Sequence, residues 1–130
     1  MLSKYKHYPQ RQFAAIARRL NWVHPNVLTI IGIIPYALFL LAMSHHRLGL
    51  GLWCLVFAPL DLLDGLVARE NGKVTAFGGF LDSTLDRAAD FLLVAGLFTA
   101  GLAPLWLAAV LALCSFLISY TRSRAELAGL

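Results

Sequence analysis

DLLDGLVARENGKVTAFGGFLDSTLDR, residues 61–87, sets four aspartates into a chain that is otherwise largely apolar. Asp61 and Asp64 stand three residues apart and Asp82 and Asp86 four apart, so each pair occupies one face of its helix. On either side the sequence turns hydrophobic, from Val27 to Met43, Leu48 to Leu60, Phe91 to Ala100 and Leu102 to Tyr120. A helix needs about 20 mostly apolar residues to cross a bilayer. The first and last stretches reach that length almost unaided. The middle two reach it only if their helices run on through the aspartates, as Leu48 to Ala68 and Phe77 to Ala100, which puts carboxylates at membrane depth. The pattern predicts an all-α integral membrane bundle of about four transmembrane helices.

Composition agrees. Of 130 residues, 59% are hydrophobic and 14% charged, and the mean hydropathy is +0.71, more apolar than a soluble core requires. The net charge of +4 does not suggest nucleic acid, because there is no soluble basic face with interleaved aromatics and no recognition helix. Membrane topology accounts for it better. Lys4, Lys6, Arg11, Arg18 and Arg19 precede the first span, Arg69 and Lys73 separate the second from the third, and Arg122 and Arg124 close the fourth. All fall on one side, so the positive-inside rule puts both termini in the cytoplasm, in a multi-pass protein of the cell membrane. The other side offers Arg47 beside His45 and His46, and a Gly101–Pro104 turn.

Cys54 and Cys114 lie within apolar spans and read as small buried hydrophobes, with no disulfide implied. The run from Val27 stands behind an aromatic and basic segment and lacks a small-residue cleavage site, so it reads as an anchor rather than a signal peptide. Residues 9–20 group Phe13, Ala14, Ile16, Ala17 and Leu20 on one helical face, an interfacial amphipathic helix seated at headgroup level. His24-Pro25-Asn26 suits a turn at the start of the first span. Pro35 falls inside that span, which we read as one helix with a kink. No repeat or linker divides the chain, and residues 1–130 read as a single domain.

Antiparallel helices joined by the short loop after Arg69 bring the four carboxylates together. Such a cluster repels and desolvates at great cost unless protons or cations enter it. Cations are the more economical answer, because Arg69 and Arg87 are too few to neutralise Asp61, Asp64, Asp82, Asp86 and Asp90. Oxygen-only ligands select hard ions, Mg²⁺ first, with Mn²⁺ or Ca²⁺ as replacements, and carboxylates around two such ions make a site for phosphates. Gly65, Gly78 and Gly79 let a helix or a phosphate approach the backbone. Taken alone they read as ordinary small-residue packing.

The order Asp61, two residues, Asp64-Gly65, two residues, Ala68-Arg69, eight residues, Gly78, three residues, Asp82, three residues, Asp86 resembles the signature of the CDP-alcohol phosphatidyltransferases at every fixed position. His24-Pro25-Asn26 and the closing SYTRSRAELAGL, residues 119–130, extend the likeness over almost the whole chain. The resemblance implies transfer of a phosphatidyl-type group from a CDP-linked lipid to the hydroxyl of a small alcohol, releasing CMP. By the same resemblance Asp61, Asp64 and Asp82 bind metal, with two ions implied, and Asp86 touches a metal and accepts the acceptor's proton. Asp61, Asp64, Gly65, Ala68, Arg69 and Gly78 match positions that bind the CDP portion.

Arg122 and Arg124 match basic residues that receive the acceptor's phosphate, though positive-inside anchoring suits them equally. The YTRSRAE pattern is most similar to members that use inositol phosphate, with glycerol 3-phosphate as the second choice of acceptor. A homodimer is also implied. Family members usually have six spanning helices, and this chain ends soon after the fourth, lacking the last two. A non-catalytic fragment, an assembly subunit and a cation-binding or cation-conducting membrane protein are therefore the competing readings.

Overall fold

The structure is a computed structural model and describes residues 24–58, 65, 67–69 and 71–129. Its regular structure is helical, with no strand among the described residues. Among the described residues five helices can be bounded: α1 (Pro25–Gly32), α2 (Ile34–Ser44), α3 (Leu48–Leu55), α4 (Ala76–Thr99) and α5 (Leu105–Leu127). The run Pro25–Ser44 and the helix Leu105–Leu127 are long and apolar enough to cross a membrane. Helix α4 has the length, at 24 residues, but carries Asp82, Asp86, Arg87 and Asp90. The segment expected to form an interfacial helix, residues 9–20, lies outside the described residues.

Both interior prolines leave a mark. Pro35 has no N–H for the Ile31 carbonyl, and the chain breaks into a turn at Ile33, whose own N–H meets that carbonyl instead. The first span is thus two helical segments, with Pro35 in the opening turn of the second. The expectation of an unbroken helix from Leu48 to Ala68 is corrected in the same way. Helix α3 ends at Leu55, and Val56 and Phe57 donate to Trp53 and Cys54 in tighter three-residue turns. The sequence places a proline at 59, a residue with no N–H to extend a helix and one that disfavours helical backbone just before it, which accords with the early stop. Helical backbone is present again at Gly65 and at residues 67–69.

The connections share one device. After α2, α4 and the helical residues 67–69, a residue in the left-handed region ends the helix and two backbone bonds close it. Gly101, at φ 73°, donates to Phe98 while Leu102 donates to Leu97. Gly72, at φ 63°, donates to Arg69 while Lys73 donates to Ala68. His46 takes the position after α2 at φ 55°, with the same paired bonds to Met43 and Ala42. These turns fold the chain into antiparallel hairpins.

The core lies where α2 packs on α4 and α3. Phe39 and Met43 of α2 are 2% and 1% exposed. Each is received by a glycine, Phe39 by Gly96 of α4 and Met43 by Gly51 of α3. Small residues opposite large ones let helices approach closely where lipid supplies no hydrophobic drive to association. Helix α5 packs on α4, and Ala108 is its buried residue.

A polar cluster joins those two helices. Arg87 Nη1 lies 3.0 Å from Asp90 Oδ2 and donates to Ser115 Oγ at 3.1 Å, while the Ser115 hydroxyl donates to Asp90. Arg87 Nη1 also reaches the Ser115 carbonyl. Interhelical hydrogen bonds of this kind contribute about 0.6 kcal/mol on average in a bilayer and up to about 1.7 kcal/mol.

Candidate functional site

The site is built around the N-terminus of α4. Thr75 is extended and its Oγ1 accepts the Gly78 N–H at 2.9 Å, which fixes the first turn. The start of α1 comes up against that turn. A Cβ added to Gly78 would stand 3.0 Å from Thr75 Oγ1 and 3.2 Å from Asn26 Oδ1, so only glycine fits without displacing a neighbour. Asn26 is held at the mouth of α1, where its N–H donates to His24 Nδ1. One turn on, Thr29 is buried and bonds back to the Pro25 carbonyl.

Between these elements lies a cleft of about 200 Å³. Pro25, Asn26 and Thr29 of α1 form one wall, and Thr75, Gly78, Gly79 and Asp82 of α4 another. Gly65, Ala68 and Arg69 close a third side, with Lys73 and Val74 after the turn. Arg69 folds back over Gly65, its Nη2 3.5 Å from where a Cβ at Gly65 would lie.

The cleft therefore brings together Gly65, Ala68, Arg69, Gly78, Gly79 and Asp82, six positions singled out in the sequence. Asp86 is half-buried one turn further along the same face of α4, beyond the described lining. Asp61 and Asp64 lie outside the described residues. Arg122 and Arg124 occupy the last turns of α5 and are not among the described lining residues, and Arg122 Nε pairs with Glu126 at 3.0 Å on an exposed surface. Asn26, Thr29, Lys73 and Thr75 were not singled out as lining the site. Asn26 and Thr29 are polar residues one turn apart at the start of an apolar run, and that spacing was the available signal.

Chemically the cleft is two-sided. Arg69, Lys73 and the backbone N–H groups at the start of α4 favour an anion, and a helix N-terminus adds its dipole to that preference. The Asp82 carboxylate favours a cation. Together they suit a phosphate bridged by metal. Among the described residues no three ligating side chains come together for a metal; the carboxylates at 82 and 86 share a helix face, and as oxygen ligands with no sulfur or imidazole in the described lining their chemistry suits a hard divalent ion.

Fold and site together define a helical membrane protein with a glycine-walled cleft that carries both basic and acidic side chains. The chain belongs to the CDP-alcohol phosphatidyltransferase family, whose model matches residues 22–129. It is 39% identical over 135 residues to the archaetidylinositol phosphate synthase of Pyrococcus horikoshii, covering 99% of this chain and 70% of that relative. It is 50% identical over 72 residues to the archaetidylinositol phosphate synthase of Methanothermobacter thermautotrophicus, covering 55% of this chain and 36% of the relative. It is 39% identical over 115 residues to the phosphatidylinositol phosphate synthase of Mycobacteroides abscessus, covering 82% and 52%. The chain thus spans 70% of one of these relatives and about half or less of the other two. No solved structure matches it.

Proposed function

We propose that this chain transfers a phosphatidyl-type group from a CDP-linked lipid, with ester or ether chains, to the hydroxyl of inositol phosphate, releasing CMP. The observation that carries the reading is the cleft itself, in which Gly65, Ala68, Arg69, Gly78 and Asp82 meet although they come from both sides of a helix turn. The names of the similar synthases support inositol phosphate as acceptor. Glycerol 3-phosphate is the alternative.

In this reading Arg69 and Lys73 hold the donor's pyrophosphate, and Gly65 and Gly78 let it lie against backbone. Asp61, Asp64, Asp82 and Asp86 would hold two Mg²⁺ ions, which supply charge neutralisation on the pyrophosphate when bound. Asp86 accepts the proton of the attacking hydroxyl, and Arg122 and Arg124 receive the acceptor's phosphate. The protein crosses the cytoplasmic membrane four times as one domain, site and termini facing the cytoplasm, and works as a homodimer.

The test is release of radiolabelled CMP by the purified chain in mixed micelles, from CDP-diacylglycerol and from its ether analogue, with inositol phosphate, glycerol 3-phosphate or serine in turn. Inositol phosphate is expected to give the fastest release, EDTA to abolish it and Mg²⁺ to restore it. Silence with all three acceptors would sink the proposal.

Gly78→Val probes the donor pocket separately. The added side chain displaces Thr75 from its cap and crowds Asn26, and the Kd for CDP is expected to rise about tenfold, equivalent to about 1.4 kcal/mol. Titration calorimetry in detergent checks it, and an unchanged Kd would place the nucleotide elsewhere.

A further inference from the structure

We propose that Ser115, held between Arg87 and Asp90, is a positioning residue that sets the register of α5 against α4 and so keeps Arg122 level with Asp82. Ser115 makes bonds in both directions, accepting from Arg87 and donating to Asp90. A hydroxyl able to do both fits one axial position between those two side chains. The rest of α5 offers little to resist sliding, since Ala108 is its buried residue and large side chains such as Trp106, Leu113, Phe116 and Ile118 are exposed. Arg87 is committed to the cluster, and its Nε is buried with no hydrogen-bond partner among the described residues.

The register then follows from helix geometry. Arg122 is seven residues past Ser115, close to two whole turns and about 10 Å along the axis, so it lies on the same face. Helix α4 runs the opposite way, joined to α5 by the tight turn at Gly101–Pro104. Seven residues before Arg87 and Asp90 is the turn that carries Asp82. A slip of one turn would move Arg122 by about 5.4 Å past that level. The Arg122 arm of this inference rests on the proposed function, in which Arg122 receives the acceptor's phosphate.

Two readouts separate the parts. Ser119, one turn past Ser115, comes level with Ser83, one turn before Arg87. With Cys54 and Cys114 replaced by alanine, the pair Ser83→Cys and Ser119→Cys is expected to form a disulfide on mild oxidation, and Ser115→Ala to cut its yield severalfold. In the CMP-release assay Ser115→Ala is expected to raise KM for inositol phosphate about tenfold, near the upper end of what one interhelical hydrogen bond contributes, leaving kcat and donor KM within about twofold. Ser115→Thr keeps the hydroxyl and should restore both readouts.

Unchanged cross-linking in Ser115→Ala would overturn the register claim, and reduced cross-linking with unchanged acceptor KM would overturn the link to Arg122. If no acceptor gives CMP, the proposed function falls, and cross-linking alone then upholds or overturns the register.

Discussion

Asp86→Asn is expected to lower kcat for CMP release by about a hundredfold to ten-thousandfold, the range over which a positioned general base acts. The substitution keeps size and shape, so the α4 backbone has no reason to move. It removes the charge that would draw a proton from the acceptor hydroxyl and help hold a cation. Asp86 is half-buried on the same face as Asp82, one turn further from the mouth of the cleft. CDP affinity, governed in this reading by Arg69, Lys73 and the glycines, is expected to change far less than kcat. Rates at saturating substrate, with calorimetry for CDP, check both halves. A loss below about tenfold would assign the proton to another group.

The second large effect concerns packing. At Gly96 an added Cβ would overlap the ring of Phe39, which is 2% exposed and has nowhere to go. Gly96→Ala is therefore expected to destabilise the fold by about 1–3 kcal/mol, the cost of overpacking a filled core. A lower Tm in detergent, with faster proteolysis of the solubilised protein, would report it. The effects of Gly96→Ala and Phe39→Leu should be strongly non-additive, because the smaller side chain vacates the space the new methyl needs. If Gly96→Ala melts with the parent, the approach of α2 to α4 is not limited at that contact.

What the sequence made legible depended on how local the cause was. Apolar runs announce the long helices directly, and the run expected from Phe77 to Ala100 is observed as Ala76–Thr99. Gly72 and Gly101 stand where polar or small residues already suggested turns, and both take the left-handed conformation that glycine permits. His46 does the same work with a weaker local signal, since histidine enters that region more readily than most side chains but far less readily than glycine. Pro59 was visible, yet an aspartate-bearing helix was carried through it, because membrane helices do tolerate proline when other groups meet the freed carbonyl.

The site divides likewise. Its glycines, Arg69 and Asp82 could be found by spacing. Asn26 and Thr29 become part of it only when α1 packs on the first turn of α4, a contact between segments about fifty residues apart. Ser115 is a further case, reaching Asp90 across 25 residues and Arg87 across 28. Nothing in SFL, residues 115–117, distinguishes that serine from a polar residue tolerated on a lipid face.

The one-sided attachment of α5 also has a meaning in time. A chain made from its N-terminus owns Phe39, Met43, Gly51 and Gly96 by the time Thr99 has emerged, so α1 to α4 can close their core before α5 exists. Helix α5 then arrives at a surface already formed and needs to find Ala108's seat and the pair Arg87 and Asp90. Interrupted synthesis or cleavage after Thr99 should leave a packed but incomplete bundle, with the cleft walls standing and Arg122 missing.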